Sequence, residues 1–345
     1  MVQRTPPAAV PPEQAPRFWI NPSRPRLHVD RWADSLVEVV RVEGLSEVSI
    51  NDASMESLDP LLPLADCLEG VALSTPLSDI SAISALSRLR GLALSGSAIL
   101  PDLSRLGTLE SVYLERPSRE AVSTLRTAPG LERLTLVAAK LMNLEPLAGL
   151  SRLRQLELQE TPIKTLDGIA ILQSLERFVM RQVPIGTVRG IGAARALTSL
   201  SLLFVGQLEE IGPLAELESL QGLSLMIPRR LRDLARLGEL SRLTKLALLG
   251  AVGQDVAWIG ELKRLRSLRL ENIGKIESIA AIAKLPHLEE LTIYGRSTIA
   301  DGDLSTVLTN PRLRNFVCVN RKHYQPTADE IEQAVNARWA PRTDE

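Results

Sequence analysis

The chain has 345 residues, a net charge of −1 and 45% apolar residues, but only 3% are aromatic and only two are cysteines. Near-neutral charge argues against a general polyanion binder, because phosphate affinity scales with the number of charges neutralised. No apolar run reaches the roughly 18 residues of a membrane-spanning helix, so no membrane is expected as a partner.

Residues 1–16 carry five prolines among small residues and show no apolar period, which reads as a disordered tail. No apolar h-region follows Arg4, so the tail is not read as a signal peptide. Residues 17–44 hold Phe18, Trp19 and Trp32, and the run Leu36-Val37-Glu38-Val39-Val40-Arg41-Val42 suggests a strand in an N-terminal cap.

From residue 45 to 320 the chain repeats. Each unit is anchored on the first leucine of a Leu-x-x-Leu-x-Leu pattern, at Leu45, Leu68, Leu89, Leu109, Leu131, Leu153, Leu175, Leu197, Leu220, Leu243, Leu265, Leu288 and Leu313. These anchors lie 20 to 25 residues apart, giving about 13 repeats. In Leu153-Arg154-Gln155-Leu156-Glu157-Leu158-Gln159 apolar and polar residues alternate, as a strand buried on one face requires. Ile163, Leu166, Ile169 and Leu172 then step by three, which suits short 3₁₀ or helical turns. Prolines mark the division: Pro76, Pro117, Pro162, Pro184 and Pro228 fall just past a strand, whereas Pro60, Pro146 and Pro213 precede an inward apolar residue. One repeat cannot offset the ordering entropy of its own residues, so stacking is obligatory and the ends need caps.

These repeated units resemble leucine-rich repeats, and the 22-residue form with Ile or Leu at every third position after the strand is similar to bacterial internalin-type and phosphatase-regulator-type repeats. The resemblance implies an α/β solenoid, a horseshoe with a parallel concave β-sheet and short 3₁₀ or helical turns on the convex side. One departure is visible. The asparagine that usually follows the strand in that family, and ties the turn amides of neighbouring coils, is replaced by Ser97, Ala139, Thr161, Val183, Val205 or Ala251, so the turns are expected to be less well tied.

Residues 321–345 read as a C-terminal cap helix. Thr327 and Glu330 have capping-box spacing, Ile331, Ala334, Val335 and the stem of Arg338 share a face, and Trp339 is placed to close it.

Chemistry is sparse along this pattern. His28, His287 and His323 have no partner at metal-ligand spacing, and Gly190-Ile191-Gly192 lies in the turn half of a repeat instead of after a βα strand. No cofactor or metal is expected, and an open solenoid seldom supplies the pocket an enzyme needs. Cys67 and Cys318 are some eleven repeats apart, too far to bridge, and Cys318 falls at an inward position. Together with the missing signal peptide this points to a cytoplasmic protein, or to an effector exported by another route. The basic clusters Arg229, Arg230, Arg232, Arg236 and Lys263, Arg264, Arg266 are interleaved with acids, which argues against nucleic acid.

Residues two, four and six after each anchor face away from the core. Among them Tyr113, Arg133, Glu157, Arg177 and Arg181 form a polar region. Leu203, Met226 and Leu249 form an apolar column, with Phe204 and Ile227 one residue further on. The expectation is a bacterial interaction module that binds a protein partner through this concave face. The alternative is a regulator or effector acting on a partner enzyme, a phosphatase or GTPase, or on a host target.

Overall fold

In a computed structural model, residues 17–21, 25–96, 99–250 and 255–339 are described. The proline-rich tail expected over residues 1–16, the turn positions Ser97 and Ala251, and residues 340–345 of the expected C-terminal cap lie outside them. The chain forms two compact units, one running to Ile163 and including Ile171–Leu175, the other made of Lys164–Ala170 and Glu176 onward.

The first unit contains β1 (Arg17–Asn21), β2 (Arg26–Arg31), β3 (Glu47–Ile50), β4 (Gly70–Leu73), β5 (Gly91–Ser95), β6 (Ser111–Glu115), β7 (Arg133–Val137) and β8 (Gln155–Gln159). Strand β1 is antiparallel to β2, and from β2 to β8 each strand is parallel to the next. The second unit contains β9 (Arg177–Arg181), β10 (Ser199–Leu203), β11 (Gly222–Met226), β12 (Lys245–Leu249), β13 (Ser267–Glu271), β14 (Lys275–Ile276), β15 (Glu290–Tyr294), β16 (Thr298–Ile299) and β17 (Asn315–Cys318). Its main ladder is parallel in the order β9, β10, β11, β12, β13, β15, β17, and the short β14 and β16 pair separately.

Strands β3 to β13, β15 and β17 each begin two residues after an anchor leucine. The register aligns equivalent leucines, Leu134 on Leu156 and Leu200 on Leu223 on Leu246, so the core is a stack of leucine rows. All of these are essentially buried, as are Ile163, Leu166, Ile169 and Leu172 of the return half. Each buried leucine contributes about 1.5–3 kcal/mol, realised only because the neighbouring coil covers it. The return segments are mostly single 3₁₀ turns, and Pro60, Pro146 and Pro213 open three of them. α2 (Arg119–Thr124) precedes a short 3₁₀ turn at Leu125–Thr127 in one repeat, and α3 (Ser305–Leu308) takes the place of the 3₁₀ turn in another.

The turns after the strands are tied by backbone, contrary to the expectation raised by the missing asparagines. Immediately past β6, β7, β8, β9, β10 and β13, residues Arg116, Ala138, Glu160, Gln182, Phe204 and Asn272 take a left-handed backbone, with φ between 50° and 56°. The N–H groups of Arg116, Ala138, Gln182 and Asn272 donate to the last carbonyl of the next strand, at 2.7 to 3.1 Å. The seats vacated by asparagine are filled by buried Ala139, Val183 and Val205, and Thr161 donates to the Gln159 carbonyl at 3.0 Å. Apolar packing and main-chain bonds do the work of an amide ladder.

The N-terminal cap differs from its reading. Residues 36–42 do not form a strand; α1 (Ser35–Val42) is a helix that buries Leu36 and Val40, and the strands of the cap are β1 and β2 upstream. Valine-rich composition favours a strand locally, but the core needs one turn of apolar spacing here, and packing overrides so weak a preference. At the other end α4 (Ala328–Ala337) has the full capping box of Thr327 and Glu330 and buries Ile331 and Val335. Trp339 Nε1 donates to the Leu313 carbonyl at 2.8 Å, and Arg314 lies over its ring.

Candidate functional site

Alternation along each strand sends every second side chain to the open face of the sheet. In the first unit this face is nearly bare where β4 and β5 present Gly70, Ala72, Gly91 and Ala93, and a trough of about 440 Å³ lies there. A Cβ at position 70 would sit 2.9 Å from Glu47 Cγ, so glycine is what lets the Glu47 side chain lie across the sheet. Tyr113, 38% exposed, stands beside the trough. Burial pushes its phenol up, with Glu115 and Glu157 adding to the shift, so it remains a hydrogen-bond donor at neutral pH.

Every carboxylate lining the trough is held by a guanidinium: Glu47 by Arg26, Glu69 by Arg88 at 3.0 Å, and Glu110 by Arg90 and Arg133. Such half-exposed pairs add little stability, about 0–1 kcal/mol each, but they leave the trough electrically balanced. Arg133 is thus committed to Glu110 at 3.3 Å, and Glu157 accepts from Gln159 Nε2 at 2.8 Å. The outward residues that stand out in the sequence are the large or charged ones from Tyr113 onward, whereas the trough is made by small ones. The signal was present in the small residues two and four positions after Leu68 and Leu89.

The second unit presents a different surface. Its upper row places Arg181 beside Leu203 and Met226 beside Leu249, all half-buried. Phe204 follows Leu203, 55% exposed at φ 56°. Ile227 does not join this patch: it is 8% exposed and is absent from the left-handed residues. A β-branched side chain resists positive φ, so the backbone after β11 turns inward and carries Ile227 into the core. The ladder between β10 and β11 accordingly stops at Leu202 and Leu225, one pair short of its neighbours. Arg177 lies at the start of β9, in the lower row with Ser199, Gly222 and Lys245. Of the five residues of the expected polar region, Tyr113, Arg133 and Glu157 lie on β6, β7 and β8 of the first unit and Arg177 and Arg181 on β9 of the second.

Among the described residues no group of three or more His, Cys, Asp or Glu side chains is placed to hold a metal ion. No helix among them is long and apolar enough to cross a membrane. Burial pushes the Cys318 thiol up to about 11, so it is protonated and weakly nucleophilic at neutral pH.

No family model matches the sequence, and no curated protein matches it significantly. Solved structures do match its fold. An internalin, inlF, from Listeria monocytogenes aligns over 87% of this chain and 88% of its own at 21% identity, with a TM-score of 0.58. A leucine-rich-repeat protein of Leptospira interrogans aligns over 84% of this chain and 81% of its own at 18% identity and a TM-score of 0.57. A chain of the TLR13–ssRNA13 complex aligns over 85% of this chain but 50% of its own length, at 19% identity and a TM-score of 0.58. Parallel strands that recur with the anchor leucines, 3₁₀ returns between them and these structural neighbours together establish that the chain has the leucine-rich-repeat solenoid fold, which it shares with the internalins.

Proposed function

We propose that the chain is an interaction scaffold that binds a protein partner on its open sheet faces, with Leu203, Phe204, Met226 and Leu249 as the apolar anchor. One observation carries this reading: a phenylalanine stands 55% exposed on left-handed backbone. Equivalent turns are made by Gly96, Gly250, Gly295 and Asn272 and by the small or polar Arg116, Ala138, Glu160 and Gln182, so among the described residues Phe204 is the one large apolar side chain at such a turn. Holding Phe204 there costs on the order of 1 kcal/mol and leaves an aromatic ring in water directly after Leu203 of the apolar row. That combination suits a surface completed by another molecule. In the first unit Tyr113, Arg133 and Glu157 offer a second, polar contact region, and Arg177 and Arg181 frame the anchor in the second.

Capture from native lysate by the full chain tests this. Met226→Asp should lower recovery of the bound protein by about thirtyfold, the equivalent of about 2 kcal/mol for a central anchor. Val42→Asp, at a 70% exposed position of α1, should leave it unchanged. Equal recovery with Met226→Asp and wild type would remove the anchor from the binding surface.

A further inference from the structure

The four strands that carry the anchor have no acidic residue. β9 reads RFVMR, β10 SLSLL, β11 GLSLM and β12 KLALL, so their open face bears Arg177, Arg181 and Lys245 and nothing to balance them. The surrounding surface is different. In the first unit the guanidinium groups around the trough are paired with Glu47, Glu69 and Glu110, and on β13 Arg269 is paired with Glu271 at 2.6 Å. Among the described residues Arg177, Arg181 and Lys245 make no ion pair.

Their spacing is set by the sheet. Arg177 and Arg181 are four residues apart on one strand, about 13 Å, and Arg177 and Lys245 are three strands apart, about 14 Å. Three corners of a rectangle are therefore cationic, and the fourth is Leu249, the end of the apolar row. Between the rows lie half-buried Ser201 and Ser224, whose hydroxyls have no partner among the described residues.

We infer that the ligand of this face is an acidic peptide segment, with a large apolar side chain seated on the Leu203–Met226–Leu249 row and carboxylates on either side of it reaching Arg177, Arg181 and Lys245. This rests on the reading of the row as the binding anchor and adds the chemistry of what binds. Charge complementarity selects the acid: three unbalanced cations around a patch from which water is excluded on binding attract carboxylates and repel basic segments. The aliphatic row selects a peptide over a nucleic acid strand. Single-stranded nucleic acid is held by stacking on several aromatic rings along a continuous cationic groove, whereas among the described residues of these four strands and their turns Phe178 is buried and Phe204 is the one exposed ring, beside three cations on the open face.

Selection of random twelve-residue peptides displayed on phage, against the full chain, is the test. Enriched peptides should carry Asp or Glu within a few residues of Leu, Phe, Met or Trp. Synthetic copies should weaken about tenfold or more on Arg177→Glu/Arg181→Glu/Lys245→Glu, and should weaken as salt rises from about 0.05 to 0.5 M. An unchanged melting temperature of the triple variant would show the loss to be one of binding. Enrichment of neutral or basic peptides, no enrichment, or equal affinity for wild type and triple variant would overturn the inference. So would a labelled twelve-nucleotide oligouridylate that binds more tightly than every selected peptide. Acidic peptides that are lost with the triple variant but indifferent to Met226→Asp would uphold the charge preference and refute the apolar anchor, which separates failure of the underlying reading from failure of this one.

Discussion

Leu225 and Met226 are neighbours with opposite fates, and the difference is one of strand parity alone. Leu225 is fully buried in the leucine stack, whereas Met226 is half-buried on the open face next to Leu249. Leu225→Asp places an unpaired carboxylate in the core and should cost at least about 4 kcal/mol. Met226→Asp should cost within about 1 kcal/mol, because its carboxylate stays hydrated. Urea unfolding of the two variants measures both. Comparable destabilisation would mean that Met226 is part of the core. The same parity made Met226 legible in the sequence, whereas Ile227 was not, since alternation ends with the strand and the turn that follows is decided by which backbone angles each side chain tolerates.

At the scale of an element, the first strand pair shows how a cap can be sensitive to acid. Trp19 of β1 lies opposite His28 of β2, their rings stacked 3.8 Å apart and nearly parallel. Burial, and then Arg26, hold the His28 imidazole below its ordinary value, against a smaller opposing effect of Asp30. A lowered folded-state pKa means that the unfolded cap binds the proton more readily. The stabilisation is therefore complete above the unfolded value near 6.5 and is lost as pH falls through the folded one. Hydrogen exchange should show β1 and β2 losing protection as pH falls below about 6.5, and His28→Phe should flatten that dependence. Loss of protection that persists in His28→Phe would place the acid sensitivity elsewhere. The pairing of Trp19 with His28 could not be read from sequence, because nothing in residues 17–44 states that the chain doubles back.

On the scale of the molecule, each coil of a repeat array meets only its neighbours, so a defect should spread locally. Leu156 of β8 is 1% exposed in the first unit, where it stacks on Leu134 of β7. Leu156→Asp should strip hydrogen-exchange protection from β7 and β8 while β11, β12 and β13 of the second unit keep theirs. Uniform loss over all of these strands would mean that the array unfolds as one cooperative body.

The periodic leucines by themselves determined the repeat, the strand parity and the faces, since an inward residue every second position in one half and every third in the other leaves few ways to bury them. Thr327 and Glu330 likewise announced the start of α4, because a capping box is local chemistry. What depended on contacts between distant residues was decided only by the tertiary structure. Residues 36–42 became a helix because the core of the cap wanted Leu36 and Val40 on one face. The trough over Gly70, Ala72, Gly91 and Ala93 arises where small side chains from two successive coils coincide. The unbalanced charge of β9 to β12 is likewise a property of strands placed side by side: each holds at most two cations, and only the parallel register gathers them around an apolar row.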